Sequence, residues 1–203
     1  MADNNMSVFT TKIKDLPDLT KKYLFQVIVE IENETLQNAL QASDDSKFQD
    51  DFMFRAKTVT IPQKEFTDMS TEYMGSKLLY PGKANVTGDL SITFDEFQDL
   101  WVSQAFHKWQ NFIFNSGWSD DVSLNNGVLT GGALSNYAKD YTAKIRIVLY
   151  DSTLKSRLPY EWVLYRCWPK TLSTADHGME DDGKVQRSVT FSYSTFELVR
   201  TDT

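Results

Sequence analysis

Apolar and polar residues alternate with period two along much of the chain, the spacing of strands that bury one face. From Tyr23 to Ile31, the residues Tyr23, Phe25, Val27, Val29 and Ile31 share a face. Phe52 to Ile61 reads the same way, with Phe52, Phe54 and Ala56 opposite Arg55 and Lys57, and Pro62 ends it because proline lacks a ladder donor. Val86 to Phe94 is cleaner: Leu90, Ile92 and Phe94 point in, while Asp89, Ser91 and Thr93 point out. Tyr141 to Leu149 sets Tyr141, Ala143, Ile145, Ile147 and Leu149 against Thr142, Lys144 and Arg146. Tyr160 to Trp168 and Val185 to Leu198 complete the set, the last alternating Val189, Phe191 and Tyr193 with Ser188, Thr190 and Ser192. The pattern predicts a mainly β fold.

One segment departs from it. Between Asp95 and Ile113, apolar residues fall at Phe97, Leu100, Trp101, Ala105, Phe106, Trp109, Phe112 and Ile113, the spacing of one amphipathic helix. Asp95 and Glu96 stand where the helix dipole favours negative charge, His107 and Lys108 toward the end where it favours positive charge, and Asn115 to Gly117 closes it. Phe97, Trp101, Phe106 and Trp109 are assigned to core packing. The architecture expected is a single domain over residues 1–203, a small antiparallel β-sandwich or barrel with this one flanking helix. Asn33 to Asp51 is mostly polar and acidic, apart from a short helical piece around Leu36, Ala39 and Leu40, and reads as a long loop insertion between strands. Asn125-Asn126-Gly127 and Thr130-Gly131-Gly132 are turn signals, and Asp176 to Gly183 is an acidic loop.

Charge and aromatic content sharpen this picture. The net charge of -7 argues against holding a phosphate backbone, since that affinity comes from lysine and arginine. Aromatics make up 13% of the chain, with five Trp, more than a small core needs and a hint of large buried interfaces. No long uncharged apolar run occurs and Met1 to Ser7 is polar, so a soluble, untargeted protein without a membrane span is expected. The single cysteine, Cys167, lies in the apolar run Trp162 to Trp168 and reads as a buried small hydrophobe suited to a reducing compartment.

Candidate chemistry is sparse. Acid–base or nucleophilic catalysis needs a positioned base, and the two histidines, His107 and His177, stand in no catalytic motif. There is no GxSxG, HExxH, paired CxxC or GxxxxGK. The glycine-lysine pairs at Gly75 to Lys77 and Gly82-Lys83 are weak phosphate signals. Asp176, Glu180, Asp181 and Asp182 do not match an EF-hand, and Asp44-Asp45, Asp50-Asp51 and Asp120-Asp121 read as exposed charge. No enzyme activity, metal or cofactor is expected.

The central stretch carries more. It runs FRAKTVTIPQ (Phe54 to Gln63), EYMGSKLLYPGK (Glu72 to Lys83) and GDLSITF (Gly88 to Phe94). This resembles the tail tube proteins of contractile-tailed bacteriophages, in which a strand ending in alanine and then proline, here Ala56 and Pro62, precedes a hairpin. The hairpin is matched by Tyr73-Met74-Gly75-Ser76-Lys77 and Pro81-Gly82, and the strand leading to the outer helix by Ile92-Thr93-Phe94. Cys167-Trp168-Pro169 and Tyr23 to Val29 echo two further family strands, so the likeness spans about Tyr23 to Leu198. The segments 33–51, 125–132 and around Asp176 are larger than in compact members.

The resemblance implies a homo-hexameric ring whose subunits join strands around a β-barrel channel, with rings stacking into a tube. It also implies a tail sheath around the tube, baseplate and tail terminator proteins at its ends, and DNA passing through without being held. The location implied is the virion tail, after assembly in the host cytoplasm. Pairing open sheet edges around a closed ring would remove an aggregation hazard, and a polar lumen would explain the Ser, Thr and Gln on the second strand faces. Tyr73, Met74, Gly75, Lys77, Pro81, Gly82 and Lys83 are expected in a projecting hairpin at a subunit or ring interface. The loop 33–51 is expected to dock on the adjacent ring, so that deleting it leaves folded subunits unable to polymerise. Two other readings stay open: the tube of a tailocin or secretion system, and a monomeric β-sandwich binding module that stacks ligands on Trp and Tyr.

Overall fold

The computed structural model describes residues 20–40, 45–115, 134–154, 156–173 and 183–201. Met1 to Ser7, Asp44, Asp120-Asp121, the turn signals at 125–132, His177 and the carboxylates of the acidic loop lie outside the described residues. In chain order the elements are β1 (Phe25–Glu30), α1 (Glu34–Ala39), α2 (Asp45–Arg55), β2 (Ala56–Val59), β3 (Glu65–Tyr73), β4 (Ser76–Asn85) and β5 (Gly88–Asp95). They continue with α3 (Trp101–Ile113), β6 (Phe114–Asn115), β7 (Leu134–Ser135), α4 (Ala138–Tyr141), β8 (Ala143–Tyr150), β9 (Arg157–Leu172), β10 (Gln186–Tyr193) and β11 (Thr195–Arg200).

The main sheet is antiparallel and has the order β1-β8-β9-β10-β5-β2, with β11 also on β9. It is mainly β as expected, but it does not close into a barrel. β9 serves three ladders: besides its pairing with β8, Tyr160 to Tyr165 pairs with β11, and Trp168 to Leu172 pairs with β10. Between them Arg166 adopts φ 55, and Ser194 separates the two partner strands, so Val185 to Leu198 is two strands rather than the one its alternation predicts. Tyr141 likewise ends α4 rather than opening β8.

The inner face is apolar because every second residue along these strands is. Val27 and Val29, Ile145 and Ile147, Leu90, Ile92 and Phe94, and Val189 and Phe191 are buried there with Cys167. Against this face lies α3, which buries Val102, Ala105, Phe106, Trp109 and Phe112. The indole Nε1 of Trp109 donates to the Tyr141 carbonyl at 2.8 Å, giving a buried ring its needed acceptor.

Three expectations are corrected. Residues 33–51 are not a long loop. Asn33 caps α1, its Oδ1 accepting from the amides of Thr35 (2.8 Å) and Leu36 (3.1 Å), and Leu36, Ala39, Leu40 and Phe48 are buried in the core. Deleting Asn33 to Asp51 therefore removes core, and a folded subunit is not its expected product.

Phe52 and Phe54 do not belong to a strand; they stand on α2, and only Ala56 to Val59 is extended. The i,i+4 pairs Phe48/Phe52 and Asp51/Arg55 outweigh the local alternation. Phe52 is fully buried against Phe94 (ring centroids 4.9 Å apart) and Phe106 (6.1 Å), whereas Phe54 is exposed.

The helix expected from Asp95 begins only at Trp101. Asp95 ends β5, and Leu100 precedes the helix in a left-handed conformation without a side-chain cap. Glu96 caps instead from further back: its carboxylate accepts from the amides of Val102 and Ser103 (both 3.1 Å) and from the Ser103 hydroxyl (2.6 Å). Phe97 is consequently outside the helix and 44% exposed, stacked on Phe54 and against the Arg55 guanidinium rather than in the core. Trp101 is half-buried against Phe48, while Phe106 and Trp109 are fully buried as expected. At the other end the backbone becomes extended at Phe114, before the Asn115 to Gly117 stop.

Ion pairs tie the elements together on the sheet's other face. Arg146 on β8 donates to Glu161 on β9 (2.7 and 2.8 Å) and to Glu30 on β1 (2.8 Å), and Lys144 also reaches Glu30 at 3.0 Å. On the helix side, next to Trp101, Arg55 forks onto Asp99. Burial tends to raise the Glu30 pKa, but hydrogen bonds from Arg146 and Lys144 outweigh it and hold the carboxyl below its ordinary 4.5. The Arg55 hydrogen bonds lower Asp99 below 3.8. A depressed carboxylate stabilises the fold fully above its unfolded pKa, and this is lost as pH falls through the folded value. The urea midpoint is therefore expected to drop as pH is lowered from about 6 to about 3, and less steeply in the Glu30→Gln/Asp99→Asn double variant. Equal slopes in the two proteins would refute it.

Candidate functional site

The hairpin β3–β4 forms a sheet of its own, hydrogen-bonded to no other strand among the described residues. Its register runs Met69↔Tyr80, Ser70↔Leu79, Thr71↔Leu78, Glu72↔Lys77 and Tyr73↔Ser76. Side chains alternate across a strand, so one face carries Met69, Thr71, Tyr73, Leu78 and Tyr80. The other carries Asp68, Ser70, Glu72, Lys77, Leu79 and Pro81. At about 3.3 Å per residue the nine residues of β3 extend about 30 Å. Every residue of β3 is exposed, and Met69, Tyr73, Leu78, Leu79 and Tyr80 are large exposed hydrophobics.

Two backbone features build the hairpin. Met74 and Gly75 form its two-residue loop with φ 49 and 77, the positive pair that a tight right-twisting hairpin needs. Glycine meets this freely; methionine does not. Met74 is nonetheless there, 89% exposed, so an apolar side chain is held at the tip against both backbone preference and solvation. Such a double violation of local rules is characteristic of a contact surface. Nearer the base, the register shifts between Phe66 and Asp68, where the Thr67 hydroxyl accepts from the Lys83 amide at 2.9 Å. A Cβ on Gly82 would lie 2.7 Å from the Thr67 carbonyl oxygen, so Gly82→Ala is expected to open this bulge. Hydrogen exchange should show faster hairpin amides with the sheet amides unchanged; unchanged hairpin protection would refute the steric reading.

All seven residues singled out from the sequence, Tyr73, Met74, Gly75, Lys77, Pro81, Gly82 and Lys83, stand on this hairpin. They do not share a face. Tyr73 is on the apolar side, Lys77 and Pro81 are on the polar side, and Gly82 and Lys83 belong to the bulge. Sequence reading missed the first strand, from Glu65, together with Met69, Leu78 and Tyr80. The alternation Met69-Thr71-Tyr73 ahead of the Gly75 turn was the signal for them.

A second feature lies where the sheet fails to close. Its end strands β1 and β2 flank a groove of about 450 Å³ whose apolar lining is Phe25, Val59, Ile61, Ile147 and Leu149. Exposed Lys21, Lys22 and Lys57 also line it.

Nothing described assembles a reaction centre. Among the described residues no three His, Cys, Asp or Glu side chains converge as a metal site, and His107 is exposed on α3. Burial pushes the Cys167 thiol up to about 12, so it packs as a hydrophobe and is a poor nucleophile. No helix among the described residues is long and apolar enough to cross a membrane.

The family model of phage tail tube proteins matches residues 20–199. The chain belongs to the phage tail tube protein family. Solved structures agree on the fold of this tail tube protein. A chain of the extended sheath–tube complex of PVC, an extracellular contractile injection system, superposes with TM-score 0.54 at 11% identity, covering 94% of this chain and 98% of that one. A chain from the cap terminating the anti-feeding prophage tube gives 0.57 at 10%, covering 92% and 94%. One from the anti-feeding prophage baseplate gives 0.57 at 11%, covering 91% and 98%. None of the curated proteins compared matches the tail tube protein significantly.

Proposed function

We propose that this chain is the repeating, non-enzymatic subunit of a tail tube, six copies closing a ring and rings stacking into a channel. The observation that carries this is the β3–β4 hairpin, self-paired, fully exposed along β3 and apolar on one face. A two-stranded hairpin is marginal alone in water, and apolar area of this kind marks a surface that another protein covers. Open strands at β2 and β11 offer further edges for a neighbouring copy. The sheath would surround the ring and baseplate and terminator proteins would meet its ends, as the complexes that hold the similar folds suggest. DNA would pass through a neutral to acidic lumen without being bound, in keeping with the net charge of -7. The subunit would assemble in the host cytoplasm and end in the virion tail. A second reading, the tube of a tailocin or other injection system, is favoured by the same solved folds, which come from contractile injection systems.

The test replaces residues 65–85 with a short Gly-Ser linker. Wild-type protein at high concentration is expected to give rings or hollow tubes with six-fold end views by negative-stain microscopy. The hairpin-less chain should stay monomeric with an unchanged melting temperature, because the hairpin is a separate sheet. Tubes from the hairpin-less chain would remove the hairpin from the interface. A wild-type chain that remains monomeric would favour the binding-module reading.

A further inference from the structure

We infer that the pocket between α4, the start of β8 and the turn joining β10 to β11 binds a carboxylate of an acidic peptide segment of a partner protein, with Arg166 as its anchor. This goes beyond the assembly reading and does not depend on it.

The backbone of β9 points to Arg166 first. A strand turns alternate side chains to one face, yet Leu164 and Cys167, three residues apart, are both fully buried. The extra residue is taken up in a bulge: Ala143 pairs with Cys167 and Ile145 with Leu164, so Tyr165 and Arg166 together stand opposite Lys144. A regular strand would turn Arg166 inward after Leu164; the bulge leaves it exposed. Its φ of 55 lies in the left-handed region, which glycine enters freely and arginine only against steric preference. The conformation asks for glycine and the chain supplies a guanidinium, a local conflict of the kind found where a side chain is used.

The surroundings define what Arg166 is used for. The pocket in front of it measures about 550 Å³, within the range that holds an organic ligand rather than a lone ion. Lys139, Lys144 and Glu32 line it with Arg166, and the hydroxyls of Ser194 and Thr195 add donors. Lys144 is engaged by Glu30 at 3.0 Å, whereas Arg166 and Lys139 meet no carboxylate among the described residues. Two unpaired cations against the single carboxylate of Glu32 leave a surplus of one positive charge. That surplus matches a carboxylate, a monoanion whose two oxygens fit the guanidinium fork, rather than a phosphate with nearly twice the charge. A peptide carrying the carboxylate also has backbone partners beside the pocket: Thr195 opens β11, which pairs with β9 alone and so has a free edge.

Fluorescence anisotropy of the full chain, at concentrations where it is monomeric by mass, tests this with a labelled peptide of alternating glycine and glutamate. Binding is expected that weakens as salt rises, and the same peptide with glutamine in place of glutamate should not bind. Arg166→Gly is the decisive variant. It should weaken binding about tenfold or more while its melting temperature stays level or rises, because glycine relieves the left-handed residue. A merely structural arginine would instead lower the melting temperature. Lys139→Ala, on the exposed side of α4, should weaken binding several-fold and gives the answer if Arg166→Gly does not fold. Absence of salt-sensitive binding up to millimolar peptide, or variants that bind as tightly as wild type, would overturn the inference. Displacement of the peptide by an equal concentration of inorganic phosphate would overturn its assignment to a carboxylate.

Discussion

Phe52→Ala is expected to lower the folding free energy by about 3–5 kcal/mol, the usual cost of emptying a phenylalanine site in a packed core. The ring has no exposed surface and meets Phe48, Phe94, Phe106 and Phe191, so truncation leaves a cavity walled by rigid rings that close on it poorly. Against a total stability of about 5–15 kcal/mol, this should bring the urea midpoint down steeply with little change in slope. Phe54→Ala is the informative control. As a strand, Phe52 and Phe54 would share a face and cost alike; as a helix they point apart. Phe54 is exposed and stacks only on Phe97 and beneath Lys57, so its truncation should cost within about 0.5 kcal/mol. Equal losses for the two would overturn the helical placement.

Glu96→Ala should cost about 3 kcal/mol, although the residue lies outside any regular element. Its side chain is 2% exposed, and it supplies the acceptors for the first turn of α3, which has no cap of its own at Leu100. Its loss strands the amides of Val102 and Ser103 and the Ser103 hydroxyl, and leaves the Arg187 guanidinium, 3.8 Å away, without its counter-charge in a buried place. Glu96→Gln keeps one acceptor oxygen and should recover roughly half of the loss. Thermal or urea unfolding followed by tryptophan fluorescence would measure both variants, with Trp101 and Trp109 on α3 reporting locally. An alanine cost below about 1 kcal/mol would show that water replaces the cap.

The body of the fold was legible wherever one face of an element is buried and the other solvated. Leu90-Ile92-Phe94 and Ala143-Ile145-Ile147 follow this rule, and so does the stripe Phe106, Trp109, Phe112 on α3. Phe52-Phe54-Ala56 misled because a helix residue and a strand residue fell by chance on a period of two, and the deciding partners, Phe94 and Phe191, lie far along the chain. Phe97 misled for the opposite reason: it fits the helical stripe, but the long-range bond from Arg55 to Asp99 and the reach of Glu96 fix the preceding residues as a loop. At the candidate site, Gly75 announced the turn. The groove left no mark in the sequence, because β1 and β2 face each other only once the sheet between them has formed.

The spacing of strand partners also sets an order of events during synthesis. The hairpin closes on itself within residues 65–85, so it is complete as soon as that stretch leaves the ribosome. β1, by contrast, waits for β8, and β5 waits for β10, roughly a hundred residues downstream, on the order of 10 s of translation. The exposed, apolar-faced part of the subunit therefore exists before the body that carries it.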